Sequence, residues 1–505
     1  MTKTFPLLAA ALALVTPLPA QSLAQRVEAR LDAPPLDRHI WGVAITDLDG
    51  RLLFGRNADR MMVPASNTKL VVAAVASALL GPEFRVQTSL YGTGPVVDGV
   101  LRGDLVLYGR GDPTFSNRCF QSDTAATGAC DRDPIARYRE LARQLRVRGV
   151  RSVAGDLVGD GSYFTDAVIH PGWEFYDLYW WYAAPVSALG FNDNSVDITI
   201  TSRDSAGGAP VVTLSPDIGL ATIDNRAEIG PRGSRRTFDV LRSHDGMSYV
   251  ATGIVPAGAS PQVESAAVLD PNRFAALAMR QALLSEGITV RGGVTSTSDS
   301  LAFHHARHGM PLAEVTSRPL RDWIYPILNT SQNWFAEMTL KQLGRQFGAT
   351  GSWQEGIRVE RRFLIDSMQI DSTQFAVTDG SGLAANNLVS PLAFTRLLAF
   401  MRRHPNYQMF AAALPLSGAA GSLRRRFTGT PLEGRVRAKT GSISRVNTLS
   451  GYVERTDGRV LVFSIQANHH TLGSSRMIPA IDSVVVELGG RLPTADRSPP
   501  LRSPR

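Results

Sequence analysis

Ser66 and Lys69 stand three residues apart in Pro64-Ala65-Ser66-Asn67-Thr68-Lys69, at the head of an apolar run from Leu70 to Leu80. A serine hydroxyl is a poor nucleophile until a base takes its proton. A lysine can be that base where burial or a nearby cation lowers its pKa. Residues three apart share a helix face, so the two side chains would meet. Pro64 suits a helix start, Gly81 suits an exit, and Val71 to Ala76 is apolar all round. That pattern predicts a buried helix with the pair at its N-terminal end, where unpaired N–H groups can stabilise an oxyanion. The chemistry would be acyl transfer through a serine ester. S-x-x-K alone is weak, because a helix cap followed by a surface lysine spells the same pattern.

Two further motifs follow. Ser331-Gln332-Asn333 lies where a loop gives way to a helix from Trp334 to Leu343. Lys439-Thr440-Gly441-Ser442 ends a strand that begins at Gly434. S-x-x-K, S-x-N and K-T-G in that order are shared by class A β-lactamases and penicillin-binding proteins.

These motifs need a scaffold. His39 to Ile45 and Arg51 to Gly55 read as strands around the turn Asp49-Gly50. Arg435 to Ala438, Leu449 to Val453 and Arg459 to Ala467 read as three more, followed by a helix from Ser475 to Leu488. One sheet built from both chain ends is expected, with the middle as an insertion. That middle is rich in short strands and turns. It repeats G-D-L-V at Gly103 and Gly155, and carries helices from Tyr138 to Arg148 and Asn272 to Ser285.

The chain has 505 residues, 44% hydrophobic and 19% charged, with net charge +8. This is a globular composition whose basic surface favours anionic partners such as a cell-wall polymer, and no nucleic-acid motif accompanies it. A short basic start, an apolar stretch from Phe5 to Val15 and small residues to Ala24 describe a signal peptide, cleaved after Ala24 or Ala20. An exported protein, periplasmic or loosely bound to the envelope and without a transmembrane segment, is expected. In that setting Cys119 and Cys130 read as a disulfide. The aromatic cluster Trp173, Tyr176, Tyr179, Trp180, Trp181 and Tyr182 reads as core packing, with substrate stacking the alternative. His304, His305 and His308, and His469-His470, lack an evident further ligand, so no metal is expected. Arg102-Gly103-Asp104 and Arg110-Gly111-Asp112 read as turns, not adhesion signals.

The chain resembles the penicillin-binding protein 4-like D-Ala-D-Ala carboxypeptidases, the class C low-molecular-mass penicillin-binding proteins. The likeness rests on the three motifs and on Ser331 following Ser66 by 265 positions. Gly109-Arg110-Gly111-Asp112-Pro113-Thr114, Tyr182 to Leu189, Asp379-Gly380-Ser381-Gly382-Leu383 and Gly434 to Gly441 carry it further. It implies an α+β fold: a β-lactamase/transpeptidase-like domain, with helices around a five-stranded antiparallel sheet, interrupted by two β-rich inserted domains. The expected division is a signal peptide at 1–24, transpeptidase-like parts at 25–88 and 299–490, an inserted domain at 89–196 and 264–298, a second small inserted domain at 197–263, and a disordered tail at 491–505.

The implied reaction is that of a serine DD-peptidase acting on peptidoglycan peptides without metal or cofactor. Ser66 attacks, Lys69 takes its proton, Ser331 relays a proton to the leaving D-Ala, and Asn333 orients Lys69 and the substrate amide. Lys439, by its like charge, lowers the pKa of Lys69. Lys439 and Thr440 bind the terminal carboxylate beside Gly441, and the backbone N–H groups of Ser66 and Ser442 form the oxyanion hole. β-Lactams would acylate Ser66. Alternatives are a β-lactamase, although no E-x-x-L-N box lies between Ser331 and Lys439, and a non-catalytic peptidoglycan-binding protein. Ala384-Ala385 stand where the family usually has Ser-Arg, an arginine that helps hold diaminopimelate; Arg445 is a candidate substitute.

Overall fold

The structure, a computed structural model, describes residues 21–116, 133–243 and 246–490. Cys119, Cys130, most of the expected signal peptide and the expected disordered tail lie outside the described residues. Cleavage after Ala24 would cut into the helix Leu23–Leu31, whose Ser22 and Gln25 form a reciprocal capping box. Cleavage after Ala20 leaves that helix whole.

Both chain ends build one antiparallel sheet of five strands. Its order is Leu52–Arg56, Ile40–Thr46, Val460–Asn468, Val446–Glu454 and Val436–Ile443. Alternation along the strands sends side chains to two different layers. Trp41, Val43 and Ile45 stand opposite Ala467, Ile465 and Phe463. All six join one core with Val27 and Leu31 of the N-terminal helix and with Met477, Ile481 and Val485 of the helix Ser474–Gly489. Tyr452 and Val462, partners in the sheet, instead join the larger core. There the Tyr452 hydroxyl donates to Leu398 O at 2.7 Å, within the helix Pro391–Arg403. The sheet therefore lies between two helical layers, the expected α+β arrangement.

The buried helix runs from Lys69 to Leu79, with Lys69 to Ser77 all buried. One continuous helix from Pro64 was expected, but Ala65–Thr68 forms a 3₁₀ turn ahead of it. The strand carrying Lys439 also differs from expectation. It does not end at the motif but runs on to Ile443, turns at Ser444 and Arg445, and returns as Val446–Glu454. Arg445, the second of the two turn residues, takes a left-handed φ of 58°. Lys439 thus sits mid-strand opposite Ser450.

In the middle of the chain the two G-D-L-V pieces become neighbouring parallel strands, Leu105–Gly109 and Leu157–Asp160. Their register pairs Leu105 with Leu157 and Val106 with Val158, so the repeat in sequence is a repeat in space. A second group of strands packs around Ser195–Thr201, which lies between Val211–Ser215 and Gln262–Ala267. Among the described residues no helix is long and apolar enough to cross a membrane.

Trp41 is buried in the sheet, whereas its neighbour Ile40 is 48% exposed. Trp41→Ala should lower unfolding free energy by about 3–5 kcal/mol in chemical denaturation. Ile40→Ala should change it by no more than about 0.5 kcal/mol. Equal effects would contradict the layer assignment.

Candidate active site

In a 3₁₀ turn residues three apart eclipse one another, which suits an S-x-x-K pair better than an α-turn does. Lys69 Nζ lies 2.8 Å from Ser66 Oγ. The sheet fixes this turn from below: the Thr448 hydroxyl donates to Pro64 O at 2.9 Å, and Asn67 Nδ2 donates to Ser450 Oγ at 2.7 Å. Ala65 is held at φ 48°, a conformation costing a residue with a Cβ on the order of 1 kcal/mol. The close fit explains two glycines. A Cβ on Gly441 would stand 2.2 Å from Thr448 Oγ1 and 2.7 Å from Pro64 O. One on Gly382 would stand 1.9 Å from Ala65 O.

The other motifs converge on the same place. Lys69 Nζ also donates to Asn333 Oδ1 at 2.6 Å and to Ser381 O at 2.8 Å, so three acceptors receive its three ammonium protons. When the amine is neutral, one of these contacts must reverse, and the Ser66 hydroxyl is the only partner of the three that can donate through the contacting atom. Asn333 is held in turn by its Nδ2, which donates to Tyr182 O at 2.7 Å. Lys439 Nζ donates to Ser331 Oγ at 2.8 Å and to Thr440 O at 2.7 Å. Ser331 takes a φ of 66°, a second strained position at the site. The Thr440 hydroxyl donates to Ser422 Oγ at 3.0 Å, and Asn447 Nδ2 donates to Ser442 Oγ at 2.6 Å.

Burial pulls the Lys69 pKa down to about 7, against the pull of Glu337 and Asp379, which favour the cation. The like-charge coupling expected between Lys439 and Lys69 is mutual. Lys439 is itself pushed well below the usual lysine range, first by burial and then by the charge of Lys69. Two cations in so dry a site discourage each other's protonation.

Glu337 and Asp379 were not recognised from the sequence as functional positions. Glu337 lies one helical turn beyond Asn333, in the helix Asn333–Phe347. It is fully buried, and burial followed by the Asp379 charge pushes it up to about 7. Its carboxylate accepts from Gly380 N at 2.9 Å, Ser381 N at 2.7 Å and Trp353 Nε1 at 2.8 Å. It therefore holds the loop whose Ser381 carbonyl receives Lys69. Asp379 accepts from Gly382 N at 2.7 Å, Ala384 N at 2.8 Å and Asn387 Nδ2 at 2.8 Å. Glu360 lies in the same acidic interior without a hydrogen-bond partner, and burial, followed by the charges of Glu337 and Asp379, pushes it well above the usual carboxylate value. An acidic residue at i+4 from Asn333 on an inward face was the available sequence signal.

A cleft of about 450 Å³ opens over Ser66. Asn333, Gly382, Leu383, Ala385 and Ser442 to Ser444 line it together with Glu174, Asp177 and Tyr182. Arg445 is exposed at the adjoining hairpin turn and is not among the lining residues. The aromatic cluster is not a core cluster: Trp173 alone of the six is buried.

With this geometry in view, the chain matches the D-Ala-D-Ala carboxypeptidase 3 (S13) family over residues 23–488. It is 33% identical over 463 residues to a D-alanyl-D-alanine carboxypeptidase of Actinomadura sp. (strain R39), covering 89% of this chain and 81% of the relative. The crystal structure of penicillin binding protein 4 from Haemophilus influenzae superposes with a TM-score of 0.78 at 22% identity, covering 92% of this chain and 99% of that one. The same protein complexed with a β-lactam superposes at 0.73 and 21%, with the same coverage.

Glu337→Gln removes a charge that favours the Lys69 cation. The Lys69 pKa should then fall, and the acidic limb of the acylation pH profile should move down by about one pH unit. Stopped-flow acylation across pH, with thermal melting as a check on folding, tests this; a folded variant with an unmoved limb would rule out the electrostatic role.

Proposed function

This chain belongs to the D-Ala-D-Ala carboxypeptidase 3 (S13) family, and on that premise we propose that it removes the terminal D-Ala of peptidoglycan stem peptides through an acyl-enzyme on Ser66. It is a serine-type D-Ala-D-Ala carboxypeptidase by membership. The observation that carries the mechanism is the 2.8 Å contact between Ser66 Oγ and Lys69 Nζ. With a pKa of about 7, Lys69 is a free amine in a large share of molecules at neutral pH.

Ser66 Oγ attacks the carbonyl carbon of the penultimate D-Ala, and its proton passes to Lys69. The backbone N–H groups of Ser66 and Ser442 receive the oxyanion; loss of one such donor costs about 100–1,000-fold in rate. Ser331, held by Lys439, relays a proton to the departing D-Ala amine. The substrate carboxylate binds at Lys439 and Thr440, beside the close-packed Gly441, and its charge favours the ammonium form of Lys439. Water then releases the shortened peptide. The same acylation by a β-lactam gives a covalent, slowly released adduct. Cross-link cleavage uses the same steps with a D-amino acid side chain of a second stem as the leaving amine. The substrate and the signal-like N-terminus support an exported location, at the envelope or in the periplasm.

Labelled penicillin should modify the peptide that contains Ser66, and Ser66→Ala should abolish labelling without loss of fold. Mass spectrometry of the digest reads this directly, and modification at Ser331 instead would overturn the assignment. Rapid turnover of nitrocefin would favour the β-lactamase reading; stoichiometric acylation supports the peptidase, and no acylation supports a binding role only.

Ala385 lines the cleft together with two carboxylates, Glu174 and Asp177, and none of the described lining residues is an arginine. We propose that the preference for a free diaminopimelate end is weak here. Release of D-Ala from diaminopimelyl-D-Ala-D-Ala and from lysyl-D-Ala-D-Ala peptides should be similar in the wild type. Ala385→Arg should favour the former by about 10-fold. A strong preference already in the wild type, unchanged by Ala385→Arg, would show that another residue makes the contact.

A further inference from the structure

Next to the cleft the chain displays aromatic rings that a soluble surface would ordinarily cover. Phe175 is 67% exposed, Tyr176 59% and Trp181 37%. The segment holding them is tied down on every side. Trp173 Nε1 donates to Asp379 Oδ2 at 3.1 Å, the Tyr182 hydroxyl donates to Asp177 Oδ1 at 3.0 Å, and Trp180 bridges to Ala266. Arg242 donates through Nη2 to Leu178 O at 3.2 Å while its guanidinium lies 5.6 Å from the centre of the Tyr179 ring. The exposed rings lean on one another: Phe175 to Tyr179 at 5.8 Å and Tyr176 to Trp180 at 6.1 Å between centroids. Ordering of this kind lowers the entropy lost on binding.

The turn Phe175–Tyr179 is a 3₁₀ helix, with three residues per turn. Glu174 and Asp177 therefore share a face, and both line the cleft over Ser66. Phe175 and Tyr176 stand between these two lining residues in sequence and are exposed, and Trp181 precedes the lining residue Tyr182. The rim is thus continuous with the cleft and mixes flat apolar faces with carboxylate acceptors. Pyranose rings present flat C–H faces and a border of hydroxyl and amide donors, which match those two features. An anionic lipid surface matches poorly, because Glu174 and Asp177 repel it.

We infer that Phe175, Tyr176 and Trp181 form a carbohydrate shelf that takes a sugar of the glycan strand whose stem peptide enters the cleft. This rests on the peptidase reading for the identity of the peptide, and it makes the preferred substrate a glycan-linked stem peptide over a free one.

The test compares D-Ala release from a free stem pentapeptide and from the same peptide attached to its disaccharide. The wild type should have a kcat/KM about 10-fold higher for the disaccharide form, the scale of one or two aromatic contacts, expressed mainly in KM. Phe175→Ala/Tyr176→Ala and Trp181→Ala should remove that advantage while leaving free-peptide turnover and penicillin acylation unchanged. Equal wild-type rates on the two substrates, or variants that lose both equally, would overturn the shelf; so would a rim that serves a membrane or a protein partner, since neither confers a glycan preference. Titration of the peptide-free disaccharide against intrinsic tryptophan fluorescence separates the two readings. Saturable binding in the wild type, lost in the double variant, supports the shelf even if Ser66 proves not to be the nucleophile. Absence of binding overturns it even if Ser66 acylates normally.

Discussion

A lysine ammonium taken wholly out of water must be surrounded by acceptors, and Lys69 organises the molecule through that need. Its three partners come from three different parts of the chain: the 3₁₀ turn, the helix that begins at Asn333 and the loop at Ser381. Each is braced by something further away. Strand residues Thr448 and Ser450 hold the turn, the Tyr182 carbonyl holds Asn333, and Glu337 holds the loop. The carboxylates nearest the site bind backbone N–H groups, not the ammonium. A direct ion pair in a dry interior would strongly favour the cation and leave a poor base. By their charge alone, without an ion pair to the ammonium, Glu337 and Asp379 offset only part of the burial effect, which leaves Lys69 able to change protonation near neutral pH.

What could be read from the sequence follows what chemistry restricts. Ser66, Lys69, Ser331, Asn333 and Lys439 were legible because few side chains can take their parts and the motif order is specific. The two-ended sheet was legible because alternation and turn residues mark its strands at both termini, and the G-D-L-V repeat foreshadowed two paired strands. Glu337 was passed over because one acidic residue in an otherwise helical pattern looks like a solvated position until its burial is known. The left-handed backbone at Ala65 and Ser331 has no sequence signal, since tertiary contacts impose it. The aromatic cluster was expected inside because large rings usually bury; composition cannot say that the 3₁₀ turn Phe175–Tyr179 lies at a cleft rim, where burial is not available.

The middle of the chain also reaches the centre. Arg242, on the strand Asp239–Arg242, holds the carbonyl of Leu178 in the segment that lines the cleft. Glu174, Asp177 and Tyr182 are thus positioned from one side by Arg242 and from the other by the contact between Trp173 and Asp379. This part of the cleft lining is built from residues distant in sequence from all three motifs.

The sheet that carries both Thr448 and Lys439 has as its central strand Val460–Asn468, close to the end of the described chain, and that strand alone joins Ile40–Thr46 to Val446–Glu454. During synthesis the turn carrying Ser66 is therefore made long before the surface it rests on. Until about residue 468 is free to fold, Ser66 and Lys69 have no Thr448 or Ser450 beneath them and no hairpin beside them. Closing contacts over so great a sequence separation is slow. A nascent or prematurely terminated chain therefore carries the serine and the lysine without the dry pocket that lowers the lysine's pKa.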